Sequence, residues 1–220
     1  MVHKMDLNSE NFTFEEEDED DLSLEQVIQL TEEAWLNEKF APEILPHKSE
    51  IIDLLLGQIS YMEERLQQLQ STDFKKAIHQ MEVDRLRFLV TSYLRLRLEK
   101  IETFCTHTLQ QERYRADKGE DMYLSQNELE FAQEHEQSMK DHLESVMSFC
   151  PNVMDTETPE VSPNIHSMVF LKSKRDIEGV AIDDGNGENN DLIDLTSGSQ
   201  VLISYNSVAK LVKDGDVHLI

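Results

Sequence analysis

The sequence predicts a mainly α protein, an N-terminal helical bundle over residues 23–150 followed by a small β-rich module over 166–220. Three observations carry this. Residues 73–104 form a long run free of Gly and Pro and rich in helix formers. Just before it, Ile52, Leu55, Ile59, Met62, Leu66 and Leu69 recur in steps of three and four, the seam of a packed helix pair. After Pro151 the apolar spacing shortens and β-branched and aromatic residues take over.

The 220 residues carry 20 Lys+Arg against 45 Asp+Glu, a net charge of −25. Such a surface repels phosphates, which argues against autonomous nucleic-acid binding and favours partners with basic patches. No apolar run approaches the roughly 20 residues that span a bilayer, and the acidic N-terminus does not resemble a signal peptide. The two cysteines, Cys105 and Cys150, make neither a metal pair nor a disulfide framework, which fits a reducing compartment.

Taken in order, residues 1–22 are expected to be a disordered acidic tail, either a solvated leader or a docking motif built on Phe12 and Phe14. The first helix starts at Ser23, where Ser23 and Gln26 form a capping box, and stops near Pro42. The second runs from about Glu50 to Gln70. A four-residue connection then leads into Asp73–Phe104, so the two form an antiparallel hairpin.

On a helical wheel Leu86, Leu89, Val90, Tyr93, Leu94, Leu96, Leu98, Ile101 and Phe104 cover about 200°, wider than the stripe of an ordinary surface helix. Phe88 falls outside even that arc, and Arg97 lies inside it. Beyond Leu109 the pattern fades into an expected polar loop around Gly119. Ser125 and Glu128 then form a second capping box, with Leu124 and Leu129 as its hydrophobic staple. Four helices in all are expected.

Residues 151–165, with three prolines, form the expected linker. Strands are expected at 167–171, 180–182, 192–195 and 202–205, with 183–191 as an acidic hairpin loop. Ser207 should cap a short helix that Gly215 ends, and Leu219 and Ile220 should lie in a terminal strand. A module of about 55 residues is marginal alone and is expected to dock either on this bundle or on a partner chain.

No phosphate-binding glycine loop, nucleophile elbow or zinc-protease motif is present. A di-iron bundle needs Glu three residues before His. Here Lys76, Phe104, Ala132 and Met139 precede His79, His107, His135 and His142. No enzyme activity, cofactor or metal is therefore expected.

Five of the 20 cations fall between Arg85 and Lys100. They either pair with acids of the same bundle or bridge to another subunit, where the planar arginine fork matches a carboxylate. Trp35 is either a core aromatic or an interface anchor. The candidate protein contacts are Trp35, Phe40, Arg87, Phe88, Tyr93, Arg95, Arg97, Lys100, Leu219 and Ile220.

The segments AWLNEKFAPEIL (34–45), IHQMEVDRLRFLVTSYLRLRLEKIETF (78–104) and the ending DVHLI resemble the Sld-five-type subunit of the eukaryotic GINS complex, in order along almost the whole chain. The resemblance implies a helical A domain, a β-rich B domain and assembly with three other GINS subunits into a heterotetramer. It further implies a place in the nuclear CMG replicative helicase beside the MCM ring and the cell-division-cycle cofactor, with contacts to replicative polymerases. The chain would be a non-catalytic scaffold. The alternative is an acidic protein-binding module or chaperone for basic partners, working through residues 1–22 and its surface charge.

Overall fold

The computed structural model describes residues 23–68, 74–148, 161–182 and 191–220. The expected acidic tail, the 70–73 turn, Leu69, Cys150, most of the linker and most of the acidic hairpin loop lie outside them. Five helices form the N-terminal part: α1 (Leu24–Phe40), α2 (Ser49–Gln68), α3 (Phe74–Thr103), α4 (Cys105–Lys118) and α5 (Gln126–Met147). The C-terminal part contains β1 (Met168–Ser173), β2 (Ile177–Ile182), β3 (Asp191–Leu195), β4 (Gln200–Ser204), α6 (Tyr205–Asp214) and β5 (Val217–Leu219).

Local chemistry sets the helix starts. Ser23 and Ser125 each accept a hydrogen bond from the backbone N–H three residues on, and Gln26 and Glu128 each accept one back. Leu124 and Leu129 join one apolar cluster, as the staple requires. Ala41 adopts an extended conformation before Pro42 and ends α1.

The hairpin seam is a heptad on both sides. Ile52, Leu55, Ile59 and Leu66 of α2 meet Val83, Leu86, Val90 and Tyr93 of α3 in one core, joined by Val27 of α1. The wide arc expected of α3 divides in two. One stripe is buried, through Val83, Leu86, Val90, Tyr93, Arg97 and Ile101, while Leu94 and Leu98 stand exposed beside it.

Two expectations are corrected. Residues 105–118 are helical, so the described residues before Pro151 hold five helices and not four. The buried positions Cys105, Thr108, Leu109 and Glu112 follow helical spacing, but two of the four are polar and hid the stripe. Gly119 (φ 69°) caps α4 in the left-handed region. In addition, Ser207 lies inside α6. That helix starts directly from β4 with Ser204 at its N-cap, and Gly215 ends it.

β1 is the centre of a three-stranded antiparallel sheet, β4-β1-β5, with Val169 opposite Ile203 and Leu171 opposite Leu219. β2 and β3 form a separate hairpin. Gly179 (φ 71°), at the register shift of that hairpin, takes the left-handed conformation and donates its N–H to Asp194. Ala41 and Leu45 of the α1–α2 connection pack into the same core as Leu171, Tyr205, Val208 and Leu219. The module thus finds its docking surface on its own bundle.

Candidate functional site

The most constrained place in the molecule is Arg97, which occupies a seam position of α3 where a bundle would usually carry an aliphatic residue. It is 1% exposed. All five guanidinium N–H donors are used. Nε and Nη2 grip the Glu128 carboxylate at 2.6 and 2.9 Å, and Nη1 donates to Glu38 Oε2 at 3.1 Å. The other two reach the carbonyls of Leu45 (2.7 Å) and Tyr123 (2.9 Å).

Glu38, 1% exposed on α1, gives its second oxygen to Lys100 Nζ at 2.7 Å, and Lys100 also donates to the Glu43 carbonyl. Glu128 also accepts the Ser125 N–H at 2.9 Å, so one carboxylate caps α5 and holds the arginine. Burial opposes ionisation of Glu128, but the Arg97 bonds and charge outweigh it and hold the carboxyl below its ordinary range. Burial likewise pulls Arg97 down, and Glu128 and Glu38 more than offset this, leaving it above the ordinary guanidinium value. For Lys100 burial wins over the Glu38 charge, and its pKa is lowered.

This hub gathers α1, α3, α5, the 41–47 segment and the 119–125 loop at one point. Glu112 extends it: its buried carboxylate accepts the Tyr123 and Leu124 N–H groups and pairs with Arg115, whose guanidinium stacks 3.5 Å from the Tyr123 ring centroid. Residues 41–47 are therefore pinned from the bundle side by Arg97 and Lys100. From the other side they carry the C-terminal module. Glu43 accepts the Tyr205 hydroxyl at 2.9 Å and the Lys213 ammonium at 2.7 Å. Burial, reinforced by Glu43, pushes the Tyr205 phenol well above its ordinary pKa. Asn37 Oδ1 accepts the Leu219 N–H at 2.7 Å, and Lys174 reaches Glu33.

Tyr93, Arg97 and Leu219 are interior residues of this chain, which corrects their expected place among outward protein contacts. The wide spacing of Arg97 and its acids hid an intramolecular pairing. Lys100 is mostly turned inward as well. Ile220 is half-buried and donates its N–H to the Phe170 carbonyl.

The remaining candidates gather outside. Trp35 is half-buried, donating to Ser92 Oγ at 2.9 Å with its ring edge-on to Phe88 at 6.3 Å. It packs on the core on one side and reaches the surface on the other. Phe88 is 63% exposed, Phe40 and Arg95 are exposed, and Arg87 pairs with Glu63. Lys39 lies over both the Trp35 and Phe40 rings. Sequence reasoning missed the acids Glu38, Glu43 and Glu112. Glu128 was legible only as a cap.

The chain is thus a bundle protein whose conspicuous chemistry is structural, with charges that hold elements together and apolar side chains turned outward. Among the described residues no group of three or more His, Cys, Asp or Glu could hold a metal, and no helix is long and apolar enough to cross a membrane.

Its sequence assigns it further. Residues 15–147 match the family described as GINS complex protein helical bundle domain, and residues 163–220 match that described as DNA replication complex GINS protein SLD5 C-terminus. The chain is 40% identical over 200 residues to the human DNA replication complex GINS protein SLD5, covering 89% of each chain. With the Arabidopsis thaliana protein of that name the identity is 28% over 201 residues, covering 88% of this chain and 90% of the other. With the Schizosaccharomyces pombe protein it is 25% over 221 residues, covering 92% and 99%. The chain belongs to the SLD5 family of GINS subunits.

Proposed function

We propose that this chain is a non-catalytic structural subunit of a heterotetrameric GINS complex that acts within the nuclear CMG replicative helicase, in initiation and elongation of DNA replication. Its direct partners are the three other GINS subunits. The MCM ring and the cell-division-cycle cofactor are partners of the assembly, and replicative polymerases contact it at the fork.

One observation carries this reading beyond family membership. Phe88, Leu94 and Leu98 of α3 are exposed in a chain whose net charge of −25 otherwise favours water. Met139 and Val146 of α5, also exposed, support the same reading. Leu94 and Leu98 stand on one flank of α3 and Phe88 on its outer side, and exposed apolar side chains in such number mark a protein contact.

Expressed alone, the chain should aggregate, and co-expression with the related subunits should rescue it. Phe88→Asp combined with Leu98→Asp should abolish co-purification, while circular dichroism of what remains soluble stays helical. A monodisperse monomer at micromolar concentration, or a tetramer indifferent to the double substitution, would overturn the reading. The net charge favours a second possibility, an acidic module for basic partners. Deleting residues 1–22 separates the two: the acidic module would lose its partners, whereas the scaffold would still assemble.

A further inference from the structure

The sequence holds a Ser-Pro step, Ser162-Pro163, at the entrance to the C-terminal module. Ser162 is exposed in an irregular segment, immediately before a turn closed by Asn164, which accepts the His166 N–H on its side chain and the Ser167 N–H on its carbonyl. That turn leads into β1, the central strand of the sheet. The next residue, Pro163, is half-buried and lines a narrow crevice together with Glu43, Ile44, Phe104 and His107 of the bundle. Glu43 is the carboxylate that holds the module through Tyr205 and Lys213.

We propose that Ser162 is a phosphorylation site for a proline-directed protein kinase, and that its phosphate loosens the seat of the C-terminal module on the bundle. Such kinases read the proline, whose ring lacks an N–H and presets the backbone. In the transfer, Ser162 Oγ bonds to the γ-phosphorus of ATP, the bond to the departing ADP oxygen breaks, and the hydroxyl proton passes to the base of the kinase. The product carries about −1.5 to −2 charges.

The direction of the effect follows from the neighbours. Consecutive Cα atoms are about 3.8 Å apart, so the phosphate lies well within a Debye length of Glu43 when Pro163 is seated. It repels that carboxylate, which holds the module through Tyr205 and Lys213. The kinase must also free the half-buried Pro163 to read it, so it acts on the unseated form. The charge it leaves then disfavours return, and seating and modification oppose each other as linked equilibria.

The test uses the full chain purified with its co-expressed subunits, a recombinant cyclin-dependent kinase with ATP as the probe, and mass-spectrometric mapping. Thr158→Ala is the partner variant because Thr158-Pro159 is the other such step nearby. Phosphate should appear on Ser162 in the wild type and in Thr158→Ala. Its absence from Thr158→Ala, under conditions that modify a control Ser-Pro peptide, overturns the site.

Hydrogen exchange at the Leu219 amide, which bonds Asn37 across the seam, reads the seating. Phosphorylation should speed it about fivefold or more, the lower end of ordinary coupling between sites, and the increase should shrink in Glu43→Gln. Unchanged exchange in the phosphorylated protein overturns the loosening, and an equal increase in Glu43→Gln overturns the route through Glu43.

Discussion

The two ends of helix α3 hold the bundle together by opposite means. Towards its N-terminus, Val83, Leu86 and Val90 meet Ile52, Leu55 and Ile59 in an all-aliphatic seam, and charges stay on the outside. Towards its C-terminus the same row continues through Arg97, and cohesion passes to a buried guanidinium, two carboxylates and backbone carbonyls. The aliphatic half needs only complementary volume, and such cores accept exchange of similar volumes. The ionic half demands every partner at once, because an unpaired buried charge costs far more than a lost contact. The same helix is therefore forgiving at one end and exacting at the other.

The largest expected effect is at the exacting end. Arg97→Met should destabilise the chain by about 3–5 kcal/mol, because Glu128 would be left buried without its cation and Glu38 with Lys100 alone. Thermal or denaturant unfolding of the assembled complex measures this. A loss under about 1 kcal/mol would show that the acids find other partners and that the contrast is false.

The same end should respond to pH. The folded-state pKa of Glu128 is depressed, so its contribution is fully present above the ordinary value of 4.5 and is lost as pH falls through the lowered one. The stability of Glu128→Gln should be lower at neutral pH and should fall less steeply in that acid window.

At the aliphatic end, Leu55→Ala removes a fully buried side chain and should cost about 2–5 kcal/mol with no specific pH dependence. Leu55→Met should recover most of that loss, whereas Arg97→Lys should not rescue its site, since a single ammonium cannot reproduce a bidentate fork.

Smaller still, Glu43→Ala removes the acceptor of Tyr205 and Lys213 and should cost about 1–3 kcal/mol, read as faster exchange across the module seam. Smallest is Arg85→Ala. The Arg85 pairs with Glu32 and Glu82 are about half exposed, so the loss should stay within about 1 kcal/mol and vanish at high salt.

What the chain discloses in one dimension follows the same division. The aliphatic seam is periodic, and periodicity survives in the sequence, so Ile52 to Leu66 and their hairpin partner were legible. The capping boxes at Ser23 and Ser125 were legible because they close over three residues. The hub was not. Arg97 meets Glu38 and Glu128 across 59 and 31 residues, in a chain with so many acids that none stands out. The wheel correctly placed Arg97 among apolar neighbours, which is the one local sign of a buried cation. It could not separate the buried row of α3 from the exposed flank at Leu94 and Leu98, since both are apolar. Helix α4 escaped for a related reason: two of its buried positions, Thr108 and Glu112, are polar, and Glu112 is held inside by hydrogen bonds that hydropathy does not register.

Residues 41–47 belong to the bundle by chain position, but Ala41 and Leu45 fill the core of the C-terminal module while Ile44 fills a core of the bundle. A wall shared by two rooms cannot be taken down for one alone. The two matched families divide the chain at residues 147 and 163, but thermodynamically that division has little meaning. Pulling the module away would expose Ala41 and Leu45 and strip Glu43 of its partners, so opening one part raises the free energy of the other. Heat or denaturant should therefore meet one cooperative unit, with both parts melting in a single transition.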